Sequence, residues 1–330
     1  MTVPAPGSAL DGAVEHPGDA PTQLAAGAPN AVAHSLGIIG DEWTLLILRY
    51  ATAGIRRYSE YLERLPISNS VLTNRLSRLA EVGLMEKVAY QQRPPRFEYR
   101  LTKRGRDTWP ILLAIWAWEA RWVPQHEENL PVMRHSRCGQ AFQPLLTCAA
   151  CGKAVEPREV TGGFGPSGTW ERSVPAATTR RRSFAAGGAV SPGLFPQTMA
   201  LIGNRWSSAL LGAAFLGAHR FKDFEQRLGA PPTMVADRLR TFCDLGVLRA
   251  APGAERADWL SYHLTAKGRA FFAVVMCTLD WGHRWFKAPE GRALVYRHTD
   301  CRRIFTPRLA CDQCREPLRG GSDVTIERTP

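Results

Sequence analysis

The sequence predicts a mostly α-helical protein with small β-hairpins, an α+β fold in which one structural unit occurs twice. Three observations lead to this prediction. They are an internal repeat at fixed spacing, a recurring order of helices and hairpin, and a group of cysteines and a histidine behind each copy. With 330 residues, 45% of them apolar, each half can bury a core of its own. We therefore expect two domains rather than one.

The repeat appears when the chain is shifted against itself by 163 positions, and no gap is needed. The shift places Trp43 on Trp206 and Gly54 on Gly217. It also places Leu101-Thr102-x-x-Gly105-Arg106 on Leu264-Thr265-x-x-Gly268-Arg269, and Trp118-x-x-Arg121-Trp122 on Trp281-x-x-Arg284-Trp285. Glycines and tryptophans matching together at one offset indicate that a whole unit was duplicated.

Three helices are expected at the start of the first copy. Trp43–Tyr50 is a compact apolar segment that Gly54 ends. Apolar residues in Tyr58–Leu65 recur at i, i+3, i+4 and i+7, which predicts one buried helix face. Ser68 or Asn69 can cap a third helix that runs to Gly83. Two short helices joined by a turn are the sequence outline of a helix-turn-helix.

A β-hairpin and a long helix follow. Leu84–Tyr90 and Phe97–Leu101 are predicted strands on either side of a stiff, basic tip at residues 91–96. Thr102 can cap the long helix, which is rich in tryptophan. A helix-turn-helix followed by such a hairpin is a winged helix, whose β-wing places cations beside DNA phosphates.

The motifs of the first copy resemble those of the HxlR family of bacterial winged-helix transcriptional regulators. They are Ile39-Gly40-x-x-Trp43-Thr-Leu-Leu-Ile-Leu-Arg49, Arg57-Tyr58-x-Glu60, Val71-Leu72-Thr73-x-Arg75-Leu76-x-x-Leu79 and Arg93-Pro94-Pro95-Arg96-x-Glu98-Tyr99-x-Leu101-Thr102. The resemblance covers residues 31 to about 123 and, more weakly, 194 to about 286. It implies homodimerisation through the terminal helices, one recognition helix per operator half-site, and control of a neighbouring gene. Asn30 and Gly193 stand where the family often carries a cysteine, which argues against a thiol switch of that kind.

The candidate DNA contacts are polar or basic residues on the exposed face of the third helix and on the wing. Hydroxyl and amide side chains suit base edges, and arginines suit phosphates. A solvated polar face is the alternative for any one of them. The candidates are Ser68, Asn69, Ser70, Thr73, Asn74, Arg75, Arg78, Arg93 and Arg96 in the first copy, and Thr233, Arg238 and Arg240 in the second.

Charge distinguishes the two wings. The chain carries a net charge of +12, which favours a polyanionic partner. Residues 87–106 hold seven bases and one acid, whereas the matching residues 250–269 hold three bases and two acids. The second copy also has Pro231, Pro232 and Asp237 in its reading helix. We call the helix-turn-helix and wing of each copy its reader. The first reader is therefore expected to dominate DNA binding and its salt dependence.

Each copy is followed by the pattern His-x2-Cys-x9-Cys-x2-Cys. Two Cys-rich knuckles separated by a hairpin return are typical of a small zinc ribbon with a closed, structural Cys3His site. A disulfide framework would leave one cysteine unpaired in each copy. We expect each tail to bind one structural Zn2+ through its own four residues. The predicted ligands are His135, Cys138, Cys148 and Cys151 in the first tail, and His298, Cys301, Cys311 and Cys314 in the second.

A single chain with two units can pair them internally. A flexible linker of about 38 residues spans roughly 35 Å, which is enough for an intramolecular pseudo-dimer. Tryptophans of the terminal helices are the predicted interface, with a plain core role as the alternative. They are Trp109, Trp116, Trp118, Trp122, Trp281 and Trp285. A homodimer of chains and a small-molecule effector site between the units are further possibilities.

The expected boundaries follow the composition of the chain. We predict a disordered arm (1–30), a first winged helix-turn-helix (31–125) with its zinc-ribbon-like tail (126–156), and a flexible linker (157–193). A second winged helix-turn-helix (194–288), its tail (289–320) and a disordered end (321–330) follow. Neither a membrane span nor a signal sequence is apparent, so we expect a cytoplasmic protein associated with the bacterial nucleoid.

The sequence thus predicts a sequence-specific DNA-binding transcriptional repressor that binds a double-stranded operator. The competing interpretation is a ligand-sensing or partner-binding adaptor on a winged-helix scaffold. An enzyme is not expected, because no nucleophile with its base, phosphate-binding glycine loop or paired carboxylate stands out.

Overall fold

The computed structural model describes residues 18–123, 130–175, 195–252 and 259–327. Within these ranges it confirms an α+β fold with two tandem winged helix-turn-helix units. A short strand, β1 (Thr22–Gln23), precedes the first unit. That unit consists of α1 (Ala31–Ile39), α2 (Glu42–Thr52), α3 (Tyr58–Arg64), α4 (Asn69–Glu81), β2 (Met85–Gln92), β3 (Pro95–Leu101), α5 (Lys103–Arg106) and α6 (Trp109–Trp122).

Local capping sets where these helices begin and end. The Ser68 hydroxyl accepts a hydrogen bond from the Val71 N–H at 3.4 Å and starts α4, as predicted. Gly83, with φ of +72°, takes the left-handed conformation that ends this segment. Thr102 caps the next segment by accepting from the Gly105 N–H at 3.1 Å. The single long helix expected after Thr102 is two helices, α5 and α6, separated near Thr108.

The first wing is longer than predicted. β2 and β3 pair in antiparallel fashion from Met85 opposite Leu101 to Gln92 opposite Pro95. Only Arg93 and Pro94 lie between the two strands. The basic tip is therefore a tight turn on an extended ribbon rather than a six-residue loop.

The second unit repeats the order of the first. It consists of α8 (Pro196–Ile202), α9 (Arg205–Phe215), α10 (Phe221–Leu228), α11 (Pro232–Asp244), β7 (Leu248–Pro252), β8 (Leu260–Leu264), α12 (Ala266–Ala270) and α13 (Phe272–Trp285). The reading helix α11 begins at Pro232, which suits the first position of a helix because proline needs no N–H acceptor there. The tip of the second wing, residues 253–258, lies outside the described residues.

The tails are joined to each other rather than folded separately. β4 (Val132–His135), β5 (Pro144–Cys148), β6 (Val160–Phe164) and the short helix α7 (Trp170–Ser173) follow the first unit, and β9 (Phe286–Lys287), β10 (Leu294–His298), β11 (Pro307–Cys311) and β12 (Val324–Glu327) follow the second. The antiparallel pairs are β4 with β12, β6 with β10 and β5 with β11. In the last pair Leu146 lies opposite Leu309, its own equivalent at the 163-residue offset. An approximate two-fold axis therefore passes between these two leucines.

Three segments expected to be disordered make defined contacts. In the N-terminal arm, β1 pairs in parallel with β9, and the Arg104 guanidinium donates to the Ala20 carbonyl at 2.7 Å. In the presumed linker, β6 pairs with β10, and in the C-terminal end, β12 pairs with β4. The prediction of disorder is therefore wrong for residues 18–30 and 321–327, and that of a flexible linker is wrong for residues 157–175. Low apolar content misled it, because backbone pairing with a distant strand leaves no signal in composition. Residues 1–17, 176–193 and 328–330, including the Arg180–Arg182 run, lie outside the described residues.

The two units pack against each other through their terminal helices. The indole N–H of Trp118 on α6 donates to the Lys267 carbonyl at 3.0 Å, and the indole N–H of Trp281 on α13 donates to the Arg104 carbonyl at 3.0 Å. Lys267 is the equivalent of Arg104, so the two bonds are related by the two-fold axis. Both tryptophans are buried. One core runs through both units as a result.

The helices at the start of the first unit are strongly apolar. The segment Leu45–Leu48 of α2 is buried, as its apolar sequence predicts. Within the part of the chain that the structure describes, no single helix is long and apolar enough to span a membrane. The helices α1 and α2 meet these two criteria only when taken together, and they are bent by 78° relative to each other.

Candidate functional site

The first reading helix, α4, presents a polar face to solvent. Its apolar face buries Leu72, Leu76 and Leu79 in the core of the unit. On the opposite side, the five predicted base-reading residues are exposed: Ser68, Asn69, Ser70, Thr73 and Asn74. A polar helix face held by an apolar one is the arrangement that a recognition helix needs to enter the major groove.

Tyr58 of α3 orients the beginning of this helix. Its hydroxyl donates to the Asn69 carbonyl at 2.9 Å and lies 3.2 Å from the Thr73 hydroxyl. The side-chain oxygen of Asn69 is also 3.2 Å away. One phenol therefore positions two of the candidate base contacts. Sequence periodicity places Tyr58 only on a buried helix face and does not reveal this role.

Arg75 does not have the role expected of it. Its guanidinium forms a two-point ion pair with Asp41, with Nε 2.8 Å from Oδ2 and a terminal nitrogen 3.0 Å from Oδ1. The two side chains are only 14% and 10% exposed. Arg75 therefore fastens α4 to the start of α2, where Asp41 also accepts from the Thr44 N–H at 2.9 Å. The partner of Arg75 lies 34 residues away along the chain, so the sequence of α4 alone gives no sign of it.

Arg78 differs from Arg75 because it is exposed. Its guanidinium makes one long hydrogen bond, 3.4 Å, to the Gly37 carbonyl. Such a contact leaves the remaining N–H groups directed to solvent, so the structure is compatible with the predicted phosphate contact.

The wing carries exposed cations at its tip and along its strands. Arg93 and Arg96 are exposed at the tip, and nearer the base the Lys87 ammonium lies 4.3 Å from the centre of the Phe97 ring. At the side of the wing, the Arg57 guanidinium lies 4.8 Å from the Tyr90 ring. Both aromatic rings are exposed, and each holds a cation in place on the surface. Arg57 and Tyr90 were not among the predicted site residues.

Two other bases that entered the wing's charge count serve the fold instead. Arg104 is 3% exposed and donates to the Val82 carbonyl at 2.8 Å. Arg100 pairs with Glu98, with Nε 2.6 Å from Oε1. The positive charge available to a polyanion is therefore smaller than the sequence count indicates, and its exposed carriers are Lys87, Arg93, Arg96, Lys103 and Arg106.

The second reader is built differently. Thr233 and Arg240 are exposed on α11, as predicted. Arg238, the equivalent of Arg75, pairs with its neighbour Asp237 at 3.0 Å. Asn204 stands where the first unit has Asp41, so the buried ion pair of the first unit has no counterpart here. The second reading helix α11 consequently lacks, at the start of α9, the ionic connection that fixes α4 to the start of α2.

Two groups of four ligand atoms lie behind the readers. In each group one histidine nitrogen and three cysteine sulfurs lie within 4.8 Å of one another. The first group, which we call site A, is His135, Cys138, Cys311 and Cys314. The second, site B, is Cys148, Cys151, His298 and Cys301. Every predicted ligand belongs to one of the two groups, and each group could hold a metal ion.

The spacing within the groups suits a tetrahedral ion. Metal–sulfur bonds of about 2.3 Å in a tetrahedron place two sulfurs about 3.8 Å apart, and a sulfur and a nitrogen about 3.6 Å apart. In site A the Sγ atoms of Cys138 and Cys311 are 3.9 Å apart, and His135 Nδ1 is 3.2 Å from Cys314 Sγ. In site B the Sγ atoms of Cys148 and Cys301 are 3.9 Å apart. The donors are therefore already arranged around a point that a four-coordinate metal would fill.

The grouping overturns one expectation about these sites. Each tail was expected to close its own site, but each site combines the His-x2-Cys half of one tail with the Cys-x2-Cys half of the other. The β5–β11 pair runs through both sites and places Cys148 opposite Pro307 and Pro144 opposite Cys311. Sequence spacing fixes which residues form a half-site but not which two half-sites meet, because the second choice depends on strand pairing.

Backbone hydrogen bonds act on the thiols nearest the turns. The Arg303 N–H lowers the pKa of Cys301 to about 7, and the Gln140 N–H lowers the pKa of Cys138. Burial raises the pKa of Cys148 and of Cys311. Each site thus combines one thiol that loses its proton readily with one that is shielded from water.

Ion pairs tie the two tails together around the sites. Arg137 of the first tail lies 3.0 Å from Glu316 of the second, and Lys153 lies 2.7 Å from Asp300. These groups are exposed, so each pair contributes little stability by itself.

The predicted tryptophan interface is found in part. Trp118, Trp281 and Trp285 all contact the opposite unit, the last through the Arg104 guanidinium 5.2 Å from its ring. Trp109 faces Gly321 of the second tail. Trp116 donates to the Pro131 carbonyl of its own tail at 3.2 Å, and the Trp122 ring lies beside its neighbour Arg121. Those last two rings therefore bind their own unit.

Comparison with known proteins identifies the type of domain. The family model described as HxlR-like helix-turn-helix matches residues 38–127 and again 201–290. An uncharacterized HTH-type transcriptional regulator of Mycobacterium tuberculosis is 39% identical over 136 residues, which are 41% of this chain and 86% of that protein. The HTH-type transcriptional regulator YtcD of Bacillus subtilis, also uncharacterized, is 35% identical over 94 residues, 28% of this chain and 75% of that protein. A solved structure from Pseudomonas aeruginosa, whose name proposes a transcription factor, is 33% identical, covers 43% of this chain and 97% of its own, and has a TM-score of 0.33.

Proposed function

The chain belongs to the HxlR-like helix-turn-helix family, and we propose that it is a transcriptional repressor in which both readers of one chain act as an intramolecular pseudo-dimer on one operator. Membership in the family makes it a DNA-binding transcriptional regulator rather than an enzyme. The observation that carries the finer proposal is the two-fold relation between the units. A pair of readers related in this way matches two half-sites of a duplex.

The first reader is proposed to supply most of the affinity. Support comes from the exposed polar face of α4, the fixed position of that helix against Asp41, and the cations at the wing tip. The base contacts proposed are Ser68, Asn69, Ser70, Thr73 and Asn74, with Thr233 in the second reader. The phosphate contacts proposed are Arg78, Arg93, Arg96 and Arg240.

Repression by exclusion is favoured over activation. The described residues form the DNA-binding elements and the tails that join them. This architecture therefore favours a protein that acts by occupying its operator. A bound chain would cover two half-sites and keep other proteins off the same DNA.

The test is a gel shift on operator DNA with the wing variant Arg93→Ala plus Arg96→Ala. Losing two phosphate contacts should weaken binding and reduce the magnitude of the log–log salt slope by about 1.8. The matched control is Arg121→Ala plus Arg158→Ala, which removes the same charge from exposed positions outside α4 and the wing. Wild-type affinity and slope in the wing variant would favour the competing function, an adaptor on a winged-helix scaffold.

Zn2+ is the proposed occupant of sites A and B. Three thiolates and one imidazole are a donor set that zinc prefers in structural sites, and the spacing of the sulfurs supports a tetrahedral ion. A site with four protein ligands has no open position for substrate, so its role would be structural. Because each site takes ligands from both tails, bound zinc would hold the two units together. Elemental analysis of the purified chain should find two zinc ions per chain.

A small-molecule effector would find room in a cleft lined by the first unit, by α13 of the second unit and by the second tail. The cleft has a volume of about 910 Å3, within the range of ligand pockets. Six arginines, among them Arg308 and Arg319, and three acids line it, so the net positive charge suits an anionic compound. A thermal-shift screen of organic anions against the wild type and an Arg308→Ala plus Arg319→Ala variant tests this, since a true ligand would raise the melting temperature of the wild type alone.

A further inference from the structure

The symmetric contacts between the units do not distinguish pairing within one chain from pairing between two chains. The Trp118 and Trp281 hydrogen bonds are equivalents of each other, and so are sites A and B. Two first units from different chains could form every one of them equally well, because a two-fold interface asks only for the same residues on both sides. Any preference for pairing within one chain must come from positions where the repeat has diverged.

One such position is Glu119 on α6. Its carboxylate is fully buried and accepts hydrogen bonds from the Thr198 N–H at 2.9 Å and the Thr198 hydroxyl at 2.7 Å. Thr198 lies in the first turn of α8, where backbone N–H groups have no partner within the helix. The residue before α8, Phe195, offers no side-chain cap. The first unit thus supplies the cap that a helix of the second unit lacks.

At the equivalent position the second unit has Gly282. It packs against α1, and a Cβ added there would lie 2.7 Å from Ser35 Oγ and 2.9 Å from the Ala31 carbonyl oxygen. The carbonyl is helix backbone and cannot move aside cheaply. The helix α1 needs no external cap, because the Asn30 side chain accepts from the Val32 N–H at 3.0 Å. Here the glycine allows α13 and α1 to approach closely.

The contact of Glu119 with Thr198 and that of Gly282 with α1 both form only when a first unit pairs with a second unit. Pairing two first units would place the Glu119 side chain against α1, twice, where only a hydrogen fits. Pairing two second units would leave the Thr198 N–H and hydroxyl without their acceptor, twice. The ion pair of Arg284 with Asp107, 3.1 Å, adds nothing to this selection, because Arg121 is the equivalent of Arg284 and could form the same pair between two first units.

We propose that this interface selects the other half of its own chain and rejects a second copy, so that a complete pair of readers exists in a single molecule. Glu119 and Gly282 are the residues that determine the selection. The proposal rests on the pseudo-dimer stated above, but it concerns partner choice and not DNA. Tethering adds to it by raising the effective concentration of the correct partner.

The test removes the tether after the chain is made. A protease site placed between residues 175 and 195 lets the full chain be cut. The mixture is then unfolded with urea and reductant, refolded with zinc, and its fragment pairs are counted by native mass spectrometry. Random association would give mixed pairs and the two kinds of like pairs in a ratio of about 2:1:1. Each lost buried hydrogen bond disfavours a pair about tenfold, so like pairs should fall to about 1% or less in the wild type.

Two variants of Glu119 sharpen the result. Glu119→Gly removes both the cap and the obstruction, and first-unit pairs should rise to at least their random share. Glu119→Gln keeps the size of the side chain and an oxygen that can accept from the Thr198 N–H, so mixed pairs should persist. A random distribution in the wild type, or one that Glu119→Gly leaves unchanged, would overturn the proposal. Loss of DNA binding would leave this count unaffected, so the two proposals fail separately.

A measurement on the uncut chain covers the case in which cut variants do not refold. Gly282→Ala should lower the melting temperature, since its Cβ meets Ser35 and the Ala31 carbonyl. The matched control is Gly212→Ala, another helical glycine, whose added Cβ meets only Trp170 at 3.9 Å. That control should be neutral or stabilising, because alanine favours the helix. Equal effects of the two substitutions would contradict the proposed role of Gly282.

Discussion

Removing two cysteines should cost one metal ion or two, depending on which pair is chosen. Cys148 and Cys301 come from different tails but belong to site B, with their sulfurs 3.9 Å apart. Cys138 and Cys148 come from one tail but belong to different sites. Each double variant, Cys148→Ser plus Cys301→Ser and Cys138→Ser plus Cys148→Ser, removes two thiols, so the comparison isolates the grouping of the ligands.

The size of the effect follows from the number of ligands left. A structural zinc site of this kind is worth about 12 kcal/mol, so one of four ligands contributes roughly 3 kcal/mol, or about a hundredfold in affinity. In the first variant site A keeps all four donors and site B keeps two. In the second variant both sites keep three donors and both are weakened about a hundredfold.

The assay is the zinc content after dialysis against a chelator strong enough to empty the weakened sites but not the intact ones. We expect two zinc ions in the wild type, one in the Cys148→Ser plus Cys301→Ser variant, and fewer than one in the Cys138→Ser plus Cys148→Ser variant. The Cys243→Ser variant is a control, since Cys243 lies on α11 and belongs to neither group. The reverse order of the two double variants would mean that each tail closes its own site, and it would refute the exchanged arrangement.

Two further predictions concern stability. Asp41→Ala breaks a largely buried ion pair and a helix cap, so the free energy of unfolding should fall by about 3–4 kcal/mol in urea titrations. In the second unit, Asp237→Ala breaks an exposed pair and should change the free energy of unfolding by less than about 1 kcal/mol. A similar loss of stability in both variants would contradict the positioning role given to Arg75. Burial, helped by the charges of Arg292 and Lys287, lowers the pKa of His283 to about 4. The unfolded chain then binds a proton more readily than the folded one, so stability present above pH 6.5 should fall by about 3 kcal/mol as pH drops towards 4. His283→Gln should lose that part of the pH dependence, and identical pH profiles for variant and wild type would refute the assignment.

Local patterns predicted the units well. The buried face of α4 and the caps at Ser68 and Thr102 followed from spacing and residue type, and the structure confirms them. The 163-residue offset likewise anticipated two units of the same fold. These features depend on residues close in sequence, where helix periodicity and capping chemistry act directly.

Three of the errors involve partners far away along the chain. Arg75 pairs with Asp41, β6 pairs with β10, and each half-site meets the half-site of the other tail. Strand pairing over more than a hundred residues leaves no periodic signal, and both ways of closing the metal sites use the same residues. The divergence of Glu119 from Gly282 is visible in the aligned repeats, but its meaning required the positions of Thr198 and Ser35.

The central claim is that one chain carries a complete pair of readers. The number of chains on one operator duplex, measured by native mass spectrometry or by light scattering of the complex, tests it most directly. One chain per duplex, protecting two half-sites about one helical turn apart, is the predicted result. Two chains bound symmetrically to one duplex, each protecting a single half-site, would contradict it.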